Sequence, residues 1–195
     1  MKELFLILAI CFTTVISYAQ TQITSVGQNN GQYIGVITLK DDTILEGNLL
    51  IDFEKHVVKI VENGENRLLS FSSINNLLIY DIATHTRKEF IGLKHNDLYE
   101  IVLAGELSLL RHYSENPHNT DANQTVLSYF LYDTQQKNMF EVENIKEKMQ
   151  NIFQENTALI KNIIQVKQYD LTNLQHIASL IRYQNQCKAK TIAMR

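Results

Sequence analysis

The hydrophobic beat of this chain changes once, and that change limits the fold more than any motif does. From Tyr33 to about Val142, apolar and β-branched residues recur in short runs with a period near two, separated by turn residues. From Asn144 onward the period becomes that of a helix. Short runs of period two must pair side by side, and the helices that parallel crossovers need are missing between them. The expected fold is therefore α+β. An antiparallel β-meander over 33–142, curled into a barrel or half-barrel, is followed by about three short C-terminal helices in 143–187 that pack on it.

The runs pair in order. Tyr33 to Leu39 and Ile44 to Ile51 flank the Lys40-Asp41-Asp42-Thr43 turn. Val57 to Val61 and Arg67 to Phe71 flank Asn63-Gly64, and Leu77 to Tyr80 and Lys88 to Ile91 flank Ala83-Thr84-His85. Leu98 to Leu103 turns through Ala104-Gly105-Glu106 into Leu107 to Tyr113, and Val126 to Tyr132 and Met139 to Val142 complete the set. In the helical part, Ile145, Met149, Ile152 and Phe153 share one face behind Asn144 as N-cap. Leu159, Ile160, Ile163 and Ile164 form a second stripe after a cap at Asn156. Leu174, Ile177, Ala178 and Ile181 form a third, opened by Asp170 or Thr172 and closed near Asn185. Residues 188–195 read as a polar, basic tail.

Ahead of the strands, Lys2 precedes an apolar run from Leu4 to Ile16, and Ser17-Tyr18-Ala19 places small residues where a signal peptidase reads. Residues 1–19 are expected to be a signal peptide cut between Ala19 and Gln20, with 20–32 a flexible polar lead-in. The run is shorter than the roughly 20 apolar residues of a spanning helix. The mature form is thus expected to lack a transmembrane span and to reach the periplasm or the exterior. Of the two cysteines, Cys11 leaves with the signal. Cys187 alone cannot form an intrachain disulfide, so stability must come from the core. Lys2 and Glu3 cancel, leaving 17 basic against 20 acidic residues after the cut (18 − 1 and 21 − 1). That balance argues against nucleic acid as a partner.

The search for chemistry yields little. His56, His85, His95, His112, His118 and His176 show no zinc-ligand spacing. The loosest cluster, His112 with His118 and Asp121, reads as a solvated loop rather than a metal site, and no cofactor is expected. No Gly-x-Ser-x-Gly elbow occurs. Cys187, between Gln186 and Lys188 at a helix end, reads as a half-buried structural residue, with pairing to another chain as the alternative. Glu141 and Glu143 flank Val142 and read as the solvated side of a strand rather than an acid–base pair. Gly27, Gly31 and Gly35 open no helix and so cannot cradle phosphate. Phe71, Tyr80, Phe90, Tyr99, Tyr113, Tyr129, Phe130 and Tyr132 read as core packing, with the lining of an apolar cavity as the alternative. Asn123-Gln124-Thr125 is a glycosylation sequon without meaning in a bacterial host. The Ser114 to Thr125 loop, with the single proline, Pro117, is the longest gap between strands and the first surface to mutate.

Gly35 to Leu39 with Asp42-Thr43-Ile44-Leu45-Glu46-Gly47, behind a signal ending Tyr18-Ala19-Gln20, resembles the opening of uncharacterised exported proteins of the Bacteroidota. Tyr99 to Leu110 is similar to their central strand–Gly–strand segment. Leu180 to Asn185 is similar to their closing helix, with Gln184 where a second tyrosine often stands. The resemblance covers most of 33–187. It implies a β-rich body with a helical tail in the cell envelope, and no activity. The expected function is a non-enzymatic envelope module that binds an unknown protein or envelope component. The alternative is a carrier of a small apolar ligand in a barrel interior.

Overall fold

The structure is a computed structural model and describes residues 33–62, 64–93, 96–115 and 125–193. The signal segment with its Ala19–Gln20 junction, the lead-in, His95, and the loop residues Pro117, His118, Asp121, Asn123 and Gln124 lie outside the described residues.

Ten strands follow the two-residue beat: β1 (Tyr33–Leu39), β2 (Ile44–Asp52), β3 (Val57–Glu62), β4 (Glu65–Ser70), β5 (Ile74–Asp81), β6 (Thr86–Gly92), β7 (Leu98–Leu103), β8 (Leu107–Glu115), β9 (Thr125–Asp133) and β10 (Asn138–Glu141). They form one sheet, antiparallel throughout, in the order β10-β9-β8-β7-β6-β5-β1-β2-β3-β4. The meander breaks once, because β5 lies beside β1 and not β4. The chain crosses between them on a 3₁₀ turn, Phe71–Ser73, whose Ser72 N–H donates to the Ser70 hydroxyl. Phe71 is buried and its N–H donates to the His56 carbonyl at 2.9 Å. Lys40 N–H donates to the Ser73 carbonyl at 2.9 Å, which delivers the chain to the free side of β1.

Of the expected barrel or half-barrel, the closed barrel needs correction: β4 and β10 are two open edges, so the sheet is not closed. Helix α1 (Ile145–Phe153) packs on β10, where a closing strand would have to pair. The sheet nevertheless curls strongly. Phe53, in the β2–β3 turn, and Tyr113, on β8, are five strand steps apart, roughly 24 Å in a flat sheet. Their ring centroids are 4.8 Å apart.

The concave face holds two apolar clusters. One joins Tyr33, Ile37, Leu49, Ile60, Phe71 and Phe90 with further residues of β1 to β8. The other joins Leu107, Leu109 and Leu131 of the sheet to Ile145, Phe153, Ile160, Ile177 and Ile181 of the helices. The helices form a broken arm and a long rod. The arm runs through α1 and α2 (Thr157–Lys167) across a 3₁₀ turn, Gln154–Asn156, at which Gln154 has φ 49°. The rod is α3 (Leu174–Ala193).

Several expected helix ends move. Asn144 and Asn156 cap nothing with their side chains; they donate instead to Glu141 (2.9 Å) and Gln184 (3.1 Å). The cap of α3 is Asn173, whose Oδ1 accepts from Gln175 N–H at 2.9 Å, while Asp170 closes the preceding turn onto Thr172. Asn185 does not end α3, which continues to Ala193 through most of the expected tail. Its amide serves the sheet: Oδ1 accepts from Leu107 N–H and Nδ2 donates to the Leu107 carbonyl, both at 2.9 Å. Lys188 adds an ion pair to Glu106 at 2.5 Å.

Glycine at 105 makes this approach possible, since a Cβ there would lie 2.0 Å from Asn185 Nδ2. The Ala104-Gly105-Glu106 turn and the closing Tyr183-Gln184-Asn185 segment thus meet. Gly105→Ala is expected to push the amide out and cost about 1–3 kcal/mol in urea unfolding. An unchanged midpoint would mean that Asn185 does not dock α3.

Candidate functional site

Alternation places β7 and β8 residues on the concave face two by two, and Glu100 and Arg111 take inward places that their neighbours fill with leucine. They are direct cross-strand partners, in one row with Phe90 and Tyr129. They lie between the two apolar clusters, and both are buried. Arg111 Nη2 donates to Glu100 Oε1 and Oε2 at 2.7 Å each, and Nε donates to Oε2 at 3.1 Å. The Tyr113 hydroxyl donates to the same Oε2, and the guanidinium lies 5.3 Å from the Tyr113 ring centroid.

Oε2 takes three of these contacts and Oε1 one. Burial opposes the charge on Arg111, but its bonds to Glu100 outweigh that and hold its pKa above the usual arginine value. Burial, then the Glu100 charge, keeps Tyr113 a phenol far above ordinary tyrosine. Lys88, half-buried on the same face, has its ammonium pKa held down by burial. The bonds tie β7 to β8 across the inner face of the sheet.

A second polar group sits at the mouth of the curl. His56 Nδ1 lies 2.8 Å from Asp97 Oδ1, and His112 Nε2 lies 3.5 Å from Asp97 Oδ2. His112 packs against Tyr99 (4.9 Å between ring centroids) and edge-on to Phe130 (6.4 Å). Asp97 could orient an imidazole for base catalysis. Among the described residues, however, no serine or threonine hydroxyl is hydrogen-bonded to His56 or His112. Each imidazole addresses a different oxygen of Asp97, and no group of three described His, Cys, Asp or Glu side chains is arranged to hold a metal ion.

The residues singled out from sequence disperse. His112 meets Asp97 and His56, while His118 and Asp121 lie outside the described residues. Glu141 and Glu143 are both exposed on either side of buried Val142, but not by strand alternation: β10 ends at Glu141, and Val142–Asn144 is a 3₁₀ turn. Cys187 lies inside α3, not at its end, half-buried beside the Tyr183 phenol. Gly35 is in mid-strand opposite Gly47.

The aromatic set does not converge on one cavity. Phe71, Phe90 and Tyr113 pack around Phe53, Tyr99 and Phe130 pack with His112, and Tyr80 is exposed. An open groove of about 590 Å³ lies elsewhere, between β10 and α1, and is lined mainly by amides such as Gln136, Asn138, Gln150 and Gln154. Glu100, Arg111, His56 and Asp97 were missed in the sequence. For the first two a signal existed: opposite charges at inward positions of adjacent strands.

The two sheet edges differ. β10 has α1 packed against it, whereas β4 pairs only with β3 and is exposed along nearly its whole length. Leu68 is 72% exposed and continues a cross-strand row through Lys59 to Leu50. Among the described residues no helix is long and apolar enough to cross a membrane. Comparison of the chain with family models, with curated proteins and with solved structures finds no match.

Proposed function

We propose that this chain is a non-enzymatic binding module, exported to a bacterial cell envelope, that takes an extended segment of a partner protein along β4. The observation that carries the reading is the open β4 edge with Leu68 standing out from it. Natural sheets usually blunt such an edge, because its unpaired N–H and C=O groups recruit another strand. Here β4 is exposed along nearly its whole length, whereas the short β10 has α1 packed against it. Strand addition supplies main-chain hydrogen bonds, and outward side chains such as Leu50 and Leu68 supply selectivity. Export rests on the Leu4–Ile16 run and the Ser17-Tyr18-Ala19 junction, and the Bacteroidota envelope on the opening-hairpin resemblance.

Glu100 is buried and engaged by Arg111 and Tyr113 inside the sheet, which supports a structural rather than a catalytic place for it. A carrier of apolar ligands is less well supported, because the inner aromatics fill one another's space and the groove is lined by amides.

A photo-crosslinking amino acid at Leu68 of the full chain, expressed in its host, tests the reading. The expected result is a discrete envelope adduct that the same probe at Leu159, an exposed α2 position, does not give. No adduct from Leu68, or the same adducts from both positions, would overturn it.

A further inference from the structure

We propose that His56, Asp97 and His112 form an acid-released clasp that holds the mouth of the curled sheet shut over the Phe53, Phe71, Phe90 and Tyr113 cluster. The sheet order sets His56 far from the other two, which lie at neighbouring strands. His56 belongs to the β2–β3 turn, Asp97 directly precedes β7, and His112 is on β8. Only the curl brings His56 to Asp97, and that contact spans it.

The turn that carries His56 is the lid of the aromatic cluster. Phe53 touches Phe71, Phe90 and Tyr113, with ring centroids 5.7, 6.0 and 4.8 Å away. His56 lies edge-on to Phe71 and accepts the Phe71 N–H on its carbonyl. It holds a left-handed backbone, φ 52°, unusual for a residue with a Cβ. A turn in that conformation depends on its anchors, and Asp97 is the anchor on the far wall.

The acid sensitivity follows from one carboxylate serving two imidazoles. Among the described residues, the groups facing His112 are Asp97 from the segment before β7, His56 from the β2–β3 turn, and Tyr99 from β7. When both imidazoles are charged, one negative charge must offset two positive ones beside aromatic walls. Burial, aided by the His56 charge and opposed by Asp97, holds the His112 pKa below the ordinary histidine value of 6.5. The unfolded chain therefore binds this proton more readily than the folded one. Stability from the neutral imidazole is complete above pH 6.5 and is lost as pH falls from there through the folded pKa. Release would free the 53–56 turn and open the aromatic interior to solvent.

Amide exchange on the full chain, corrected for intrinsic rates, tests this between ~pH 7.5 and ~pH 5. Protection of the Phe71 amide and of the 53–57 turn is expected to fall about ten-fold on acidification, while β8 and β9 amides keep theirs. His112→Phe, which keeps the stack and removes the titration, is expected to abolish that difference. An unchanged Phe71 amide in the natural chain, or the same acid response in H112F, would overturn the clasp. Should H112F not fold, the histidine resonances of the natural chain decide. The His112 titration must share its midpoint with the loss of Phe71 protection, and separate midpoints would sink the idea.

Discussion

Arg111→Ala is expected to lower the free energy of unfolding by about 3–5 kcal/mol, the usual loss when one member of a buried ion pair is removed. The side chains of Arg111 and Glu100 are 7% and 9% exposed, so little water can take over for the missing guanidinium. After truncation Glu100 keeps only the Tyr113 hydroxyl, and its charge remains between two apolar clusters. Coulomb attraction at such a depth is strong but is offset by desolvation of both ions, so the intact pair contributes far less than its loss costs. Hence a second expectation. Glu100→Leu combined with Arg111→Met should recover most of the lost stability, since both neighbouring clusters are apolar. Urea unfolding of the three variants checks this at constant m-value. A loss below about 1 kcal/mol in R111A would mean that the pair is effectively solvated. A double variant as unstable as R111A would assign the effect to lost volume rather than charge.

The placement of that pair shows what the residues reveal on reading and what they do not. β1 and β7 begin and end where the apolar runs Tyr33 to Leu39 and Leu98 to Leu103 do, although β7 buries both faces at its start, where Leu98, Tyr99 and Glu100 are all buried. Leu107, Leu109, Arg111 and Tyr113 fall on one beat, so a charge at the third place was legible as an inward charge; a solvent-exposed strand has no reason to keep that phase.

The passage of β5 to β1 was not legible. It depends on the Lys40 to Ser73 hydrogen bond between segments that look like ordinary loops. The contact between His56 and Asp97 was equally hidden, being produced by the curl and not by local spacing. Asn185 misled for a definite reason: asparagine suits a helix end, yet here its amide copies a strand partner for Leu107, which only tertiary contact can require.

Gly35→Ala is expected to cost about 3 kcal/mol or more, through the line along which the sheet bends. Gly35 faces Gly47 on β2 and Ile79 on β5, so β1 is held on both sides at this level. A Cβ on Gly35 would stand 2.3 Å from the Leu78 carbonyl oxygen and 2.6 Å from Leu49 Cδ1. The leucine methyl can turn aside, but the carbonyl belongs to β5 and moves only if β5 leaves β1. That junction is the single place where the β1–β4 part of the sheet joins the β5–β10 part. Opening it strains the core cluster that spans both, including Ile37, Leu77 and Ile79, none of which is more than 2% exposed.

Gly64→Ala provides the comparison. Gly64 has φ 85° in an open turn with nothing within 4 Å of an added Cβ, so its replacement should cost only about 1 kcal/mol of backbone strain. Adding Leu49→Ala to Gly35→Ala relieves the side-chain clash but not the carbonyl clash, and should therefore not restore stability. If Gly35→Ala unfolds at the same urea midpoint as Gly64→Ala, β1 and β5 have room at this level and the curl does not depend on a missing side chain. If the Leu49→Ala combination rescues it, the constraint lies in side-chain packing and not in the approach of the two backbones.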